Sequence, residues 1–447
     1  MILGRTSRPA FFLPRFWLPK AAGLRLAQGR VKPAAKPLWP VATLVALTGL
    51  NLLDYLDRQI LAAVLTPLKD ELHLSDEQLG TVGAAFMVGY FLTAPIFGWL
   101  GDRMSRTWLI AAGVLVWSLG TVLSGQAHGF AVLVCFRALV GFGEASFGTI
   151  SPGWIADLFP PLRRNNAISI FYLAIPVGSA LGYIFGGIMA VRYGWRTAFL
   201  WAGAPGLLLA FALLWLREPA RGASDPAANP VPAPPARTGA YRFYRDLLNY
   251  PAYLLVIAGY VAQTFAMGGF AFWAPTFLHR VHGMGLEAAG TFFGGSLVLT
   301  GLTATLLGGF LATAWQRRTG TGYAWVLLIS AVGAAPAAFA AFGLRDLAMA
   351  KAALIVAMFL LFLSTGPVNT LILETVPVLM RARAMAASIF MIHLFGDLWS
   401  SRLVGTLSDR LGDLRLAALW VLPVALIVSA GFWGWLLAHT RANRPPA

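Results

Sequence analysis

The chain is poor in charge. Of its 447 residues only 12% are Asp, Glu, Lys or Arg, while 58% are hydrophobic. A water-soluble domain carries about 25% charged residues, so water is not the main solvent here. A mean hydropathy of +0.70 points to a bilayer instead. Cysteine is almost absent: Cys135 stands alone, which excludes an internal disulfide framework and a cysteine-based metal cluster. No Gly-x-x-x-x-Gly-Lys-Ser/Thr loop occurs, which argues against a nucleotide-driven pump. His279 and His282 share one loop, but no acid-rich or Cys/His set accompanies them, as a lipid-modifying enzyme would need. No enzyme activity, metal or cofactor is therefore expected.

What is present is length in apolar runs. A spanning helix needs roughly 20 apolar residues. Twelve such runs occur, near 40–67, 77–100, 106–126, 129–157, 165–191, 196–216, 250–278, 286–314, 321–343, 347–375, 384–407 and 414–439. An even number puts both termini on one side of the membrane. With that side cytoplasmic, the inner loops hold 15 Lys/Arg and the outer loops 8, before the 8 of residues 1–37 are added. Basic residues gather on the cytoplasmic side of membrane proteins, so the net charge of +16 needs no nucleic acid to explain it. The expected location is the inner (plasma) membrane of the cell, with both termini cytoplasmic and the chain a monomer.

The longest gap between runs, 217–249, is rich in Pro and Ala and suits an extended linker. It suggests five parts: a basic tail (1–37), a six-helix bundle (38–216), the linker, a second six-helix bundle (250–440) and a short tail (441–447). The halves resemble each other. "ADLFPPLRRNNAISIF" lines up with "LETVPVLMRARAMAASIF", matching Asp157 with Glu374. A duplicated unit of this kind is what rocking transporters are built from. The expected fold is all-α: an integral membrane protein of twelve transmembrane helices in two pseudo-symmetric six-helix bundles.

Polar residues inside apolar runs are the candidate site. An ionised side chain at mid-bilayer costs roughly 2.5–3.5 kcal/mol on insertion scales, so such groups face one another or water. "NLLDYLDRQILAAVL" carries Asp54, Asp57 and Arg58 in the first run. "FRALVGFGEASFG" carries Arg137 and Glu144 in the fourth, seven residues apart and so on one helical face. These two sets are expected to meet across a central cavity. Burial disfavours a carboxylate's charge and a neighbouring guanidinium favours it, which makes Asp57, Glu144 and Asp54 candidates for proton coupling. His393 and Asp397, one turn apart in the eleventh run, and Arg402 add a polar wall. Arg58 and Arg137 would hold a charged head, and Phe147, Phe265, Phe272, Trp273 and Phe395 would line the path of an apolar chain. In the fifth run Gly178, Gly182 and Gly186 fall on one face, where small residues allow close helix approach. Gly294, Gly301 and Gly308 offer a partner surface in the eighth.

The loop "GWLGDRMSRT" (98–107) resembles the loop between the second and third spans of the major facilitator superfamily, with Ser105 where that family usually has glycine. The resemblance implies a cytoplasmic gate. Asp102 would face a helix amino terminus of the other half, Arg103 and Arg106 would reach Asp157, and Glu374 is the duplicate of Asp157. More closely, "NLLDYLDR", "RALVGFGEASFGTISPGWIADLF", "SIFYLAIPVGSALGYIFGG" and "HLFGDLWSSRLVGTLSDRL" are similar to the Spinster family of lipid transporters. That resemblance implies proton- and substrate-linked roles for Asp57, Arg58, Arg137 and Glu144. It also implies an amphipathic lipid cargo, a lysophospholipid or a sphingosine-phosphate-like molecule, moved by proton-coupled alternating access. Ser400-Ser401-Arg402 departs from the Ser-Pro-Tyr of animal relatives. A proton-coupled carrier of small organic anions or amphipathic drugs is the alternative.

Overall fold

The structure, a computed structural model, describes residues 39–101, 103–221, 223–224, 245–377 and 380–442, apart from the side chains of 161, 162, 165 and 381–383. The basic tail, most of the linker and Asp102 fall outside this set. The described residues form helices and no strand. A bilayer offers the backbone no hydrogen-bond partners, and a helix satisfies its own.

The first half runs α1 (Trp39–Ala63), α2 (Leu65–Leu72), α3 (Asp76–Gly101), α4 (Arg106–Ser124), α5 (Phe130–Leu158), α6 (Pro161–Tyr193) and α7 (Trp195–Leu213). The second half runs α8 (Pro251–Arg280), α9 (Leu286–Thr319), α10 (Gly322–Gly343), α11 (Leu347–Leu363), α12 (Thr365–Glu374), α13 (Arg381–Ile392), α14 (Leu398–Leu411) and α15 (Leu414–Ala442). Eleven segments are long and apolar enough to cross a bilayer, with α11 and α12 counting as one. The twelfth crossing is 381–411, where α13 and α14 are joined by a π-turn at His393–Asp397. This crossing carries Ser400, Ser401, Arg402, Ser408 and Asp409 and is correspondingly less apolar. The tenth run is also broken: Ser364 separates α11 from α12, and its hydroxyl donates to the Leu361 carbonyl while accepting from Gln263.

Within the first half α3 packs on α5, α1 on α6, and α4 on both α5 and α7. The two halves meet chiefly along α6 with α9 and α3 with α14. Those contacts gather at the end of the molecule where α3 begins and α6 ends. There Gly290 and Gly294 of α9 approach the Tyr183 and Ala180 carbonyls, and Gly80 of α3 approaches Ser401 and Arg402. The Tyr183 hydroxyl, fully buried, donates to the Ala271 carbonyl across the halves at 2.8 Å. We call this the closed end.

The glycine stripe is used differently from the expectation. Gly178, Gly182 and Gly186 face α1, not α9, with Leu52, Leu56 and Ile60 against them. Gly301 and Gly308 face Phe362 and Leu363 of α11. Only Gly294 of the expected partner surface meets α6, and it meets Ala180. The stripe therefore holds α1, the helix carrying the charges, against α6. A Cβ at Gly182 would overlap the Leu56 carbonyl and sit 2.8 Å from Gln59 Cβ. Overpacking of this kind costs about 1–3 kcal/mol. Gly182→Val is expected to lower the apparent melting temperature of the purified chain well beyond Gly431→Val, where a Cβ meets nothing within 4 Å.

Candidate functional site

Arg137 and Glu144 share one face of α5, and that face looks at α1. They do not pair with each other. Arg58 Nε donates to Glu144 Oε2 at 2.7 Å, and Arg58 Nη2 lies 3.4 Å from Asp54 Oδ2. Arg137 Nη1 reaches Asp57 Oδ1 at 3.4 Å. The Thr121 hydroxyl on α4 donates to the other oxygen of Asp57. Three helices thus close around a cluster of three carboxyls and two guanidiniums.

Aromatic faces complete the surroundings. The Arg58 guanidinium lies over Tyr55, Phe86 and Tyr90, at 4.6, 5.0 and 5.2 Å from the ring centroids. Arg137 lies 5.6 Å from the other ring in common, Phe86, which serves both cations. Cation–π contacts strengthen when desolvated. They hold each guanidinium without neutralising it, so the ionic count is unchanged.

The cluster lies deeper than a cavity wall. Asp54, Asp57 and Glu144 are 2%, 1% and 0% exposed. Only Arg58 reaches a surface, with 17% of its side chain exposed. The two sets meet as expected, but in direct contact rather than across a cavity: the carboxyls are buried inside the first half behind Arg58. The pairing divides the charge unevenly. Arg137 and Asp57 balance, whereas Arg58 faces both Asp54 and Glu144. Asp54 Oδ1 and Glu144 Oε1 are buried and accept no hydrogen bond from the described residues. One proton shared by this pair of acids brings the cluster to neutrality.

Other candidates are dispersed. His393 Nδ1 lies 3.0 Å from Asp397 Oδ2 on the π-turn, a helix form that is frequent at functional sites. Phe265 is half-buried beside Gly396. Phe147 is not on a wall: it is buried between Trp117 and Phe171, at 5.7 and 5.8 Å between ring centroids. Trp273 is likewise buried, and its indole donates to the Ser401 carbonyl at 2.9 Å, tying α8 to α14 within the second half. Arg402 is drawn to the closed end, where it donates to Glu77 at 3.0 Å. Phe395 is exposed. Sequence reasoning missed Tyr55, Phe86, Tyr90 and Thr121.

A family model for the Major Facilitator Superfamily matches residues 47–400. Protein spinster homolog 1 of Xenopus tropicalis is 32% identical over 388 residues, covering 83% of this chain and 73% of that protein. The chain belongs to the major facilitator superfamily and, within it, to the Spinster family. The probable sphingolipid transporter spinster homolog 2 of Arabidopsis thaliana is 31% identical, covering 90% of this chain and 88% of its own. A crystal structure of a bacterial homologue of the human lysosomal transporter Spinster, inward-facing and unoccupied, is 25% identical with a TM-score of 0.81. It covers 92% of this chain and 100% of that one.

In this Spinster-family transporter the ends of the two halves differ in what joins them. At the end opposite the closed one, Arg106 donates to Asp157 at 2.6 Å, within the first half. Arg103 turns away, lying 4.4 Å over the Trp99 ring and donating to its carbonyl. Glu218, absent from the sequence expectation, accepts from Ser105 Oγ and Arg106 N at the start of α4. Glu374 is exposed at the end of α12, and Asp102 lies outside the described residues.

At the closed end, Asp409 of α14 caps α3 from the other half. Its two oxygens accept from the backbone N–H of Asp76 at 2.9 Å and of Glu77 at 2.7 Å. A carboxylate at a helix amino terminus satisfies unpaired donors and the helix dipole together. Asp76 in turn accepts from Lys69 at 2.6 Å, Arg280 at 2.7 Å and Ser408 at 2.7 Å. Losing a cap costs about 0.5–2 kcal/mol. Asp409→Ala is therefore expected to raise the population open at this end by roughly 2- to 30-fold. Spin labels on Arg192 and Arg410 would report it as growth of a long-distance component in pulsed-dipolar spectra.

Proposed function

We propose that this protein is a proton-coupled secondary transporter that moves an amphipathic anionic lipid, lysophospholipid or sphingosine-phosphate-like, by alternating access. The observation that carries the reading is the position of Arg58. It is the only partly exposed member of the buried cluster, and it neutralises two acids at once. An anionic head that reaches Arg58 competes with Glu144 for it, while Asp54, one turn away on the same helix, stays beside Arg58. A carboxylate released inside a dry bundle is expensive to keep charged, so it takes up a proton. Loss of the head group restores the ion pair and expels that proton. The transported charge and the proton are thereby linked through one guanidinium.

The closed end is the contact that alternating access would have to part: the halves share a buried apolar cluster there, with Tyr183 against Phe293, bordered by the Asp409 cap and ion pairs. Basic residues on the cytoplasmic side would put the closed end outside, which supports reading the conformation as inward-facing. The lipid class is supported by the name of the Arabidopsis relative and by the aromatic faces around Arg58. Vesicles reconstituted with the full chain test the cargo. Uptake of labelled lysophosphatidylglycerol driven by a pH gradient is expected to be competed by sphingosine phosphate and not by citrate or succinate. Competition by the short carboxylates alone would favour the small-anion reading instead.

A further inference from the structure

We infer a second lipid site, outside the transport path: an anionic phospholipid of the surrounding bilayer docks in a groove between α9, α10 and the α11–α12 break. The groove is a cavity of about 470 Å3 lined by Leu311, Ala314, Trp315, Arg318, Ile329 and Leu363. It sits at the end of α9 remote from the junction with α6, and the cluster around Glu144 does not border it.

Its chemistry is graded along the helix axis. Leu311 precedes Arg318 by seven residues, about 10 Å of helix. The inner stretch is hydrocarbon: Leu311 and Ile329 are exposed and Leu363 forms the floor. The outer stretch is cationic, with Arg317 and Arg318 in the last turn of α9. Trp315 stands between them and stacks on Trp325 of α10, with ring centroids 5.8 Å apart and planes 4° from parallel. Arg441, at the end of α15, lies 5.1 Å over the Trp325 ring. Tryptophan marks the head-group level of a bilayer, so the three arginines stand where lipid phosphates lie. None of the three forms an ion pair among the described residues, although Glu374 ends α12 at the same side.

Three unneutralised cations beside a tryptophan pair, above an apolar slot, complement one occupant. That occupant has a phosphodiester head, a net negative charge and an acyl chain. A zwitterionic lipid would fill the slot but cancel the attraction, and a soluble phosphate would leave the slot empty. Each arginine near an anionic head contributes about fivefold in affinity.

The test uses the full chain, delipidated in neutral detergent and titrated with dioleoyl phosphatidylglycerol or dioleoyl phosphatidylcholine under native mass spectrometry. Phosphatidylglycerol is expected to bind at least about tenfold tighter. Arg318→Gln with Arg441→Gln should erase that preference, and Arg345→Gln, at the opposite end of α10, should leave it intact. Ala314→Trp, filling the slot, should weaken retention of both lipids without changing the melting temperature in detergent. Equal binding of the two lipids in the native chain would overturn the proposal. So would a preference that survives the double substitution, equal loss in the Arg345 control, undiminished retention by the Ala314 variant, or displacement of the lipid by glycerol phosphate.

Discussion

Glu144→Gln is expected to abolish uptake driven by a pH gradient while leaving substrate exchange down its own gradient. The argument is one of charge. With all groups ionised, the cluster holds Asp54, Asp57 and Glu144 against Arg58 and Arg137. One negative charge is in excess, and a buried, unbalanced charge is strongly disfavoured. On the proposed reading a proton relieves that excess and is exchanged as Arg58 changes partner. Glutamine at 144 removes the excess at once. Arg58 retains Asp54, Arg137 retains Asp57, and no proton is required. The variant should fold, bind and equilibrate substrate, but a proton gradient should no longer concentrate it. Asp57→Asn is expected to behave differently, because it strips Arg137 of its only ionic partner in the cluster rather than removing the surplus.

The second large effect falls on stability. Arg137 and Asp57 are each about 1% exposed, and Thr121 is the remaining partner of Asp57. Arg137→Ala leaves the Asp57 carboxylate buried with one hydroxyl to satisfy it, and it leaves a void over Phe86. Breaking a buried ion pair from one side typically costs about 3–5 kcal/mol. Replacing both partners by apolar groups of similar volume is often neutral. Arg137→Ala is thus expected to melt at a far lower temperature than the native chain, and Arg137→Met with Asp57→Leu to recover most of the loss. If the single variant melts like the native chain, Asp57 is not dependent on Arg137. Transport should be lost in both variants, which separates the structural role of the pair from its part in coupling.

Much of this was legible in the sequence because a bilayer imposes length. The fourth apolar run, 129–157, is α5 (Phe130–Leu158) within one residue at each end. The ninth, 321–343, is α10 (Gly322–Gly343). Breaks were not legible. Val64, Ser364 and the π-turn at His393–Asp397 interrupt runs whose composition is continuous, and a helix end inside a run leaves no apolar gap. The charged members of the site could be found because Asp, Glu and Arg are costly in lipid. Their pairing could not. Spacing along α1 links Arg58 to Asp54, but contact with Glu144 depends on how α1 is rotated against α5, and no local pattern encodes that. Thr121 gave no signal, since a hydroxyl in an apolar helix can bond to its own backbone. The glycine stripe was visible but its partner was not: α1 and α9 flank α6 on adjacent faces, and Tyr183 and Gly187 rather than Gly182 look toward α9. Asp409 and Asp76 were missed because acids at helix ends resemble solvated loop charge until the other half is in place.

The most direct measurement is difference infrared spectroscopy of the reconstituted full chain as substrate is added and as pH is varied. The account predicts a protonated-carboxyl band that changes with substrate in the native protein and is missing from Glu144→Gln, whose charges already balance. A band unaltered by substrate, or one that persists unchanged in Glu144→Gln, would contradict a proton shared at the Asp54–Glu144 pair.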